Sequence, residues 1–250
     1  MKRLYRLLYK FTLGALIVNL VWWIAAKLLG SPALADPLCV YASLPELLDT
    51  SMWRHLMHSL YRIVAGVAIA TAIGMPAGIL MGLYKGVNKI LGAAVYFSYP
   101  VPKLALLPAV MLLAGIGEVT KITMIVLIIV FQIIISVRDS VRHIPSDCWD
   151  LMTSLGAGKR DLLAHLVLPA TLPDFFTTLR VATGTAVSAL FVTETYGTDC
   201  GMGFFIVDAW MRIDYVAMYG GIVMLGTLGF FIFILIDIMH SVFCKWKETN

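Results

Sequence analysis

Long apolar stretches separated by short polar punctuation dominate this chain. A helix needs about 20 mainly apolar residues to cross roughly 30 Å of hydrocarbon. Six stretches approach that length: residues 7–29, 59–83, 90–115, 121–137, 179–197 and 218–243. Between the fourth and fifth lies a mixed-charge island, residues 150–173, reading DLMTSLGAGKRDLLAHLVLPATLP. Its apolar positions follow helical spacing, broken once by Gly156 and stopped by Pro169. An ordered amphipathic helix held just outside a bilayer has the form of a docking element.

The stretches differ inside. Residues 59–83 place Gly66, Ala70, Gly74, Gly78 and Gly82 at every fourth position. Such a stripe lets another helix backbone approach closely, and packing accounts for it fully. Pro76 in the same stretch predicts a kink. Residues 90–115 are interrupted by Pro100 and Pro102, beside Lys103, with Pro108 further on. Carbonyls freed by proline need protein or water around them, and broken helices beside a charge recur along transport pathways.

Residues 121–137 carry one interior polar side chain, Gln132. The fifth stretch and its approach are the most polar, with Thr177, Thr178, Thr183, Thr185, Ser188, Thr193, Glu194 and Thr195. Thr178, Ala182, Thr185, Ala189 and Thr193 fall along one helical face, which either packs or lines a wet path. Glu194, toward the outer end, is an intramembrane carboxylate and so a functional candidate. Lys103, Thr185, Ser188 and Glu194 are the candidate translocation-path residues. Structural roles stay open for two of them: Lys103 as a snorkelling or paired cation, Glu194 as a hydrogen-bonding group at a helix interface.

Composition agrees with the pattern. Of 250 residues 60% are hydrophobic and 14% charged, with mean hydropathy +0.88, which excludes a soluble globular protein. The fold class is all-α, a polytopic membrane protein with about six transmembrane helices. The apolar stretches leave no room for a second soluble unit, so residues 1–250 read as one domain. Within it, 1–43 form an N-terminal span and outer segment, and 44–246 a core with a cytoplasmic loop at 140–175.

Orientation follows from Lys and Arg placement. With the N-terminus inside, the inner segments carry Lys2, Arg3, Arg6, Lys10, Lys85, Lys89, Arg138, Arg142, Lys159, Arg160, Arg180, Lys245 and Lys247. The outer side and its approaches keep Lys27, Arg54, Arg62, Lys103, Lys121 and Arg212, so both termini are expected in the cytoplasm. The net charge of +4 thus reflects topology and gives no ground for a nucleic-acid partner. Trp22, Trp23, Trp53, Tyr61, Trp210, Tyr219 and Trp246 sit near the expected span ends, as interfacial aromatics do. The opening MKRLYRLLYK, an apolar run and Ala33-Leu34-Ala35 have the layout of a secretory signal. The run exceeds a usual signal core and is interrupted by Asn19 and Lys27, so an uncleaved first span is expected.

The outer segment 30–54 contains three prolines with Asp36, Glu46 and Asp49, and residues 44–57 suggest a short amphipathic helix on the outer surface. Cys39, Cys148, Cys200 and Cys244 form no C-x-x-C pair, which leaves no zinc or redox motif. Cys39 and Cys200 both fall outside; they are read as unpaired small hydrophobes, with a disulfide as the alternative.

Enzymatic motifs fail one by one. Gly156-Ala157-Gly158-Lys159 suggests half a phosphate loop, but that motif needs glycine where Thr153 stands and Ser or Thr where Arg160 stands. His55 and His58 have helical i, i+3 spacing without a third ligand nearby, so no metal is expected. G-x-S-x-G and H-E-x-x-H are absent from the sequence. The chain reads as a non-enzyme with no cofactor of its own.

The island is more specific than a generic amphipathic loop. Permease subunits of binding-protein-dependent ABC importers carry a cytoplasmic signature: Glu-Ala-Ala, three residues, Gly, nine residues, then Ile-x-Leu-Pro. This chain has Asp150-Leu151-Met152, three residues, Gly156, nine residues, then Leu166-Val167-Leu168-Pro169. The spacing matches throughout, while Asp replaces Glu and the bulkier Leu and Met replace two alanines. From about Leu47 to Trp246 the chain resembles that family, most of all its nitrate/sulfonate/taurine/bicarbonate branch. The blocks SLYRIVAGVAIATAIGMPAGILMGL and PVPKLALLPAVMLLAGIGEVTKI carry the resemblance, with Glu194 and Gly201-Met202-Gly203.

The resemblance implies a type I ABC importer permease fold and a set of partners. ABC ATPase subunits would bind ATP and seat the loop helix, near residues 146–157, in a groove. The coupling residues would be Asp150, Leu151, Met152, Leu155, Gly156, Ala157, Leu168 and Pro169. Gly156 would let the chain turn at the helix end, and Pro169 would fix the exit toward the fifth span. A second permease copy would complete the pore as a homodimer within membrane lipid. A periplasmic or lipid-anchored substrate-binding protein would dock outside, on residues 44–57 and the loop 201–214. The branch implies a small anion or sulfonate-like solute, which Lys103 would suit; some relatives carry vitamin precursors such as pyrimidines. The competing reading is a stand-alone secondary transporter or channel coupled through Glu194.

Overall fold

The computed structural model describes residues 2–248, and among them every regular element is helical. In chain order these are α1 (Lys2–Leu29), α2 (Pro37–Leu47), α3 (Trp53–Leu83), α4 (Lys85–Ser98), α5 (Leu107–Ala114), α6 (Glu118–Arg142), α7 (Ser146–Ser154), α8 (Lys159–Asp161), α9 (Leu168–Glu194), α10 (Met202–Met211) and α11 (Tyr215–Phe243). Among the described residues, five helical runs are long and apolar enough to span: Thr12–Leu29, α3, α6, Lys159–Glu194 and α11. A sixth arises if α4 and the segment Lys103–Ala114, bent by 85° at Pro100–Pro102, are one broken span. The interruption expected from the two prolines is therefore present.

The core is the contact between α3 and α6, extended by α9. The small-residue stripe of α3 lies against β-branched side chains of α6. A methyl group placed on Gly66 would come within 2.5 Å of Ile125, on Gly74 within 2.9 Å of Ile133, and on Gly82 within 2.5 Å of Val141. On Gly78 it would meet the Ile134 carbonyl oxygen at 2.8 Å. Ile125, Ile133 and Val137 are fully buried beneath this face. Both helices advance along the contact in the same direction, so they cross the core in parallel. Close backbone approach of this kind replaces the hydrophobic driving force that lipid removes. α3 continues as one helix through Pro76.

α6 and α9 are joined by polar rungs. Thr178 donates to Ser136 at 2.6 Å, and Ser140 donates to Asp174 at 2.8 Å. α9 and α11 are joined by an ion pair between Arg180 and Asp237, with the Arg180 guanidinium 5.1 Å from the Phe233 ring. α1 lies at the periphery, where Trp22 packs on Tyr41 and Tyr219 and Tyr41 donates to Asn19 at 2.6 Å. Trp53, Tyr61, Trp210 and Trp246 are exposed.

Several expected boundaries change. Residues 44–57 are not one surface helix: α2 ends at Leu47, a wide π-type turn covers Leu48–Met52, and α3 begins at Trp53. Met52 and Leu56 are buried, so this corner is tucked in. The loop 201–214 is largely the apolar helix α10, which buries Met202, Phe205, Ile206 and Ala209. Nine of its ten residues are apolar or glycine, the mark of an inserted helix too short to span. Pro169 does not stop the island's helix. Helical backbone runs from α8 through a π-type stretch, Leu162–Val167, into α9, where Pro169 occupies the first turn. Within this continuous helix Pro169 forgoes one backbone hydrogen bond, and the widened turn accommodates its ring. The fifth span thus begins well before residue 179, and Arg180 is a paired intrahelical residue instead of an inner-loop charge. Of the charges used for orientation, Lys2, Arg3, Arg6, Lys10 and Lys247 lie outside the described side chains.

Candidate functional site

Three constellations carry polar chemistry, and they sit at different levels of the bundle. The first is at the end of the bundle where α3 begins and α9 finishes. His55, Ser59 and Arg62 follow i, i+4, i+7 spacing on α3 and so continue the stripe face upward. Arg62 is 1% exposed and Glu194 0%. Arg62 Nη1 donates to Glu194 at 2.6 Å and to the Cys200 carbonyl at 2.8 Å. Its Nε donates to Glu118 Oε2 at 2.7 Å, and Nη2 donates to Glu118 Oε1. Glu194 also accepts from Ser59 Oγ, at 2.8 and 2.9 Å, and from the Gly203 amide at 2.8 Å. The Met202 amide donates to Ser59 Oγ at 2.8 Å, and the Gly201 amide donates to His55 Nδ1 at 3.0 Å. Lys121, buried one turn beyond Glu118, brings the local charges to two of each sign.

The turn at 200–203 is thereby sewn onto α3 and α9. Gly201 has φ +131°, and a side chain there would collide with Glu194 and with Arg62 Nη1 at 2.6 Å. Only glycine satisfies both constraints. Pro37, at the start of α2, follows Asp36, which caps the helix by accepting from the Leu38 amide at 2.9 Å. The hydrogen bond from Lys27, with that amide, holds the Asp36 carboxyl below its ordinary range.

The second constellation is a groove of about 540 Å³ at the α4–α5 break, walled by α6 and α9. Tyr99, Lys103, Phe131, Gln132, Thr185 and Ser188 line it. Lys103 Nζ donates to the Ser98 and Tyr99 carbonyls, both at 2.6 Å, and lies 5.5 and 5.4 Å from the Tyr99 and Phe131 rings. A cation at a helix C-terminus meets the last carbonyls and the negative end of the dipole. Thr185 and Ser188 donate back to Val181 and Gly184 at 3.3 and 3.1 Å. Lys103, Thr185 and Ser188 are thus brought together, while Glu194 lies in the outer cluster, outside the groove lining.

The third constellation faces the other side. α7 ends in paired reverse bonds: the Ala157 amide donates to the Met152 carbonyl at 3.0 Å and the Gly156 amide to the Thr153 carbonyl at 2.9 Å. Gly156 sits between them at φ +80°, the left-handed conformation that this helix end requires. Trp149 packs toward the core, while Leu151 and Leu155 are 63% and 76% exposed. Asp150 and Gly156 share that exposed side; Met152, Ala157, Leu168 and Pro169 are half-buried. The eight expected coupling residues therefore divide into an outward surface and its support.

From sequence His55 stands out only as half of a possible metal pair and Arg62 only as an outer charge, while Ser59 and Glu118 do not stand out at all. The i, i+4, i+7 spacing of the three α3 members was the available signal. Cys39 is exposed and Cys200 buried, and both are free. His55 stacks on Phe204 and Phe205, and among the described residues no metal-binding group of three ligands occurs.

Comparison with known proteins places these features. Residues 74–246 match the family described as binding-protein-dependent transport system inner membrane component. The taurine transport system permease protein TauC of Escherichia coli is 33% identical over 228 residues, 88% of this chain and 83% of that one. The formylaminopyrimidine transport permease protein ThiX of Halalkalibacterium halodurans is 28% identical over the full length of both chains. The fold is similar to that of the MetNI methionine ABC transporter in inward-facing conformations, with TM-score 0.63, 21% identity and coverage of 79% of this chain and 96% of that one. The chain belongs to the binding-protein-dependent inner membrane component family and is a multi-pass permease subunit of an ABC importer.

Proposed function

We propose that this permease couples to its ATPase through α7 and the turn that follows. The observation that carries this is a helix anchored by Trp149 that offers Leu151 and Leu155 to the outside, ended by a left-handed Gly156. Two large apolar side chains exposed on one short helix form a docking face. ATP-driven closure shifts the spans between inward-open and outward-open states only because contacts at this face differ between them. Arg138, Arg142, Lys159 and Arg160 serve orientation, with both termini in the cytoplasm. Two copies form the pore as a homodimer, with the groove at the α4–α5 break facing the path. The substrate-binding protein docks at the outer corners around Leu48–Met52 and α10. For the solute, a small anion or sulfonate and a small heterocycle are both represented among the relatives.

The test is affinity purification of the tagged chain from native membranes, followed by mass spectrometry. An ATPase is expected in roughly equal amount, lost in Gly156→Asp and Leu155→Asp at unchanged membrane level. Recovery without an ATPase, while other membrane complexes stay intact, would sink the reading.

A further inference from the structure

The polar rungs between α6 and α9 stop at Gln132. Counting outward, Ser140 meets Asp174 and Ser136 meets Thr178, each a step of four on antiparallel helices. The next step pairs Gln132 with Ala182, which offers only a methyl group. The Gln132 amide has no hydrogen-bond partner among the described residues and lines the groove instead. It lies near the middle of a spanning helix and opens on the groove, so water or a solute must answer it. A partner from outside the chain is called for.

The rest of the groove defines that partner. Lys103 is already engaged by two carbonyls and two rings, which leaves one N–H for a solute. Thr185 and Ser188 have donated their protons to their own helix, so they present lone pairs to the groove. Lone pairs repel an oxyanion and need N–H donors. Gln132 adds one acceptor and two donors. A simple sulfonate, which only accepts, could pair with the Lys103 cation but would leave these oxygens unanswered. A planar heterocycle with amino groups and ring nitrogens answers all of them, and its faces suit the Tyr99 and Phe131 rings. The volume of about 540 Å³ is ample for one such ring.

We infer that the groove is a transient site for a small, uncharged, planar solute of the aminopyrimidine class, with Gln132 as its specificity residue. This rests on the importer reading above. The experiment uses the purified permease–ATPase complex in nanodiscs and follows its melting temperature against millimolar formylaminopyrimidine or ethanesulfonate, a sulfonate without an N–H donor. Formylaminopyrimidine is expected to stabilise the complex and ethanesulfonate to leave it unmoved. Gln132→Leu is expected to keep the unliganded melting temperature and to raise the half-maximal formylaminopyrimidine concentration about tenfold, the loss of one neutral hydrogen bond. Gln132→Asn should fall between. Stabilisation by ethanesulfonate, no response to either probe, or a response that ignores Gln132→Leu each overturns the inference. So does dissociation of the permease pair in Gln132→Leu, which would mark the amide as a contact between copies. Failure of the ATPase to co-purify would instead count against the importer reading.

Discussion

The outer cluster and the groove treat buried polarity in opposite ways. Around Arg62 and Glu194 the polar groups are answered from within the chain: guanidinium by two carboxylates and a carbonyl, carboxylate by a hydroxyl, an amide and the guanidinium. In the groove, side by side with satisfied rungs, Gln132 is left open. Closed satisfaction holds helices in one arrangement, whereas an open group is available to a passing solute. The contrast sets the fully answered Glu194 carboxylate apart from the groove-lining Gln132. An intramembrane charge alone does not mark a transport site, because its partners decide its role.

The largest break in this comparison should come from Arg62→Met. It strands Glu194 in a fully buried position, a loss of about 3–5 kcal/mol for one member of a buried ion pair. The double variant Arg62→Met/Glu194→Met should recover part of it, and a double-mutant cycle of melting temperatures measures the coupling. Additive losses would show that the two do not act together. Removing a satisfied rung is milder: Ser136→Ala should cost about 0.6 kcal/mol, the usual worth of an interhelical hydrogen bond in a membrane. Gln132→Leu, which removes no internal bond, should cost less than Ser136→Ala in the same assay. The smallest effect concerns Asp36, outside the spans. Its folded carboxyl titrates below its unfolded value, so its contribution is present above about pH 3.9 and lost as pH falls through the lower folded value. The melting difference between the native chain and Asp36→Asn should therefore narrow only in that acid window.

Much of this architecture was legible residue by residue. The stripe from Gly66 to Gly82 announced a close helix contact because absence of side chains at fixed spacing has few other uses. Pro100 and Pro102 announced the broken span, and the spacing from Asp150 to Gly156 and Pro169 announced the loop. What stayed hidden depended on distance or on unusual helical turns. Arg62 and Glu194 stand 132 positions apart, and no local pattern pairs them. The corner at Leu48–Met52 and the passage at Leu162–Val167 are π-type, a geometry for which 3.6-residue periodicity has no signature. α10 escaped because a largely apolar ten-residue segment reads equally as a loop between spans or as an inserted helix.

The unbroken course from Lys159 to Glu194 has a mechanical side. Its 36 residues form a rod about 54 Å long at 1.5 Å per residue. One end leaves the turn below α7, and the other ends in the carboxylate that ties down the 200–203 turn. A push delivered at the Lys159 end need not be relayed through loops or side-chain rearrangements. It travels along a single stiff strut, with the widened turns at Leu162–Val167 as its one compliant joint. On the coupling through α7 proposed above, stiffness at that joint, more than the number of contacts at either end, would then set how much of each ATPase stroke reaches the 200–203 turn.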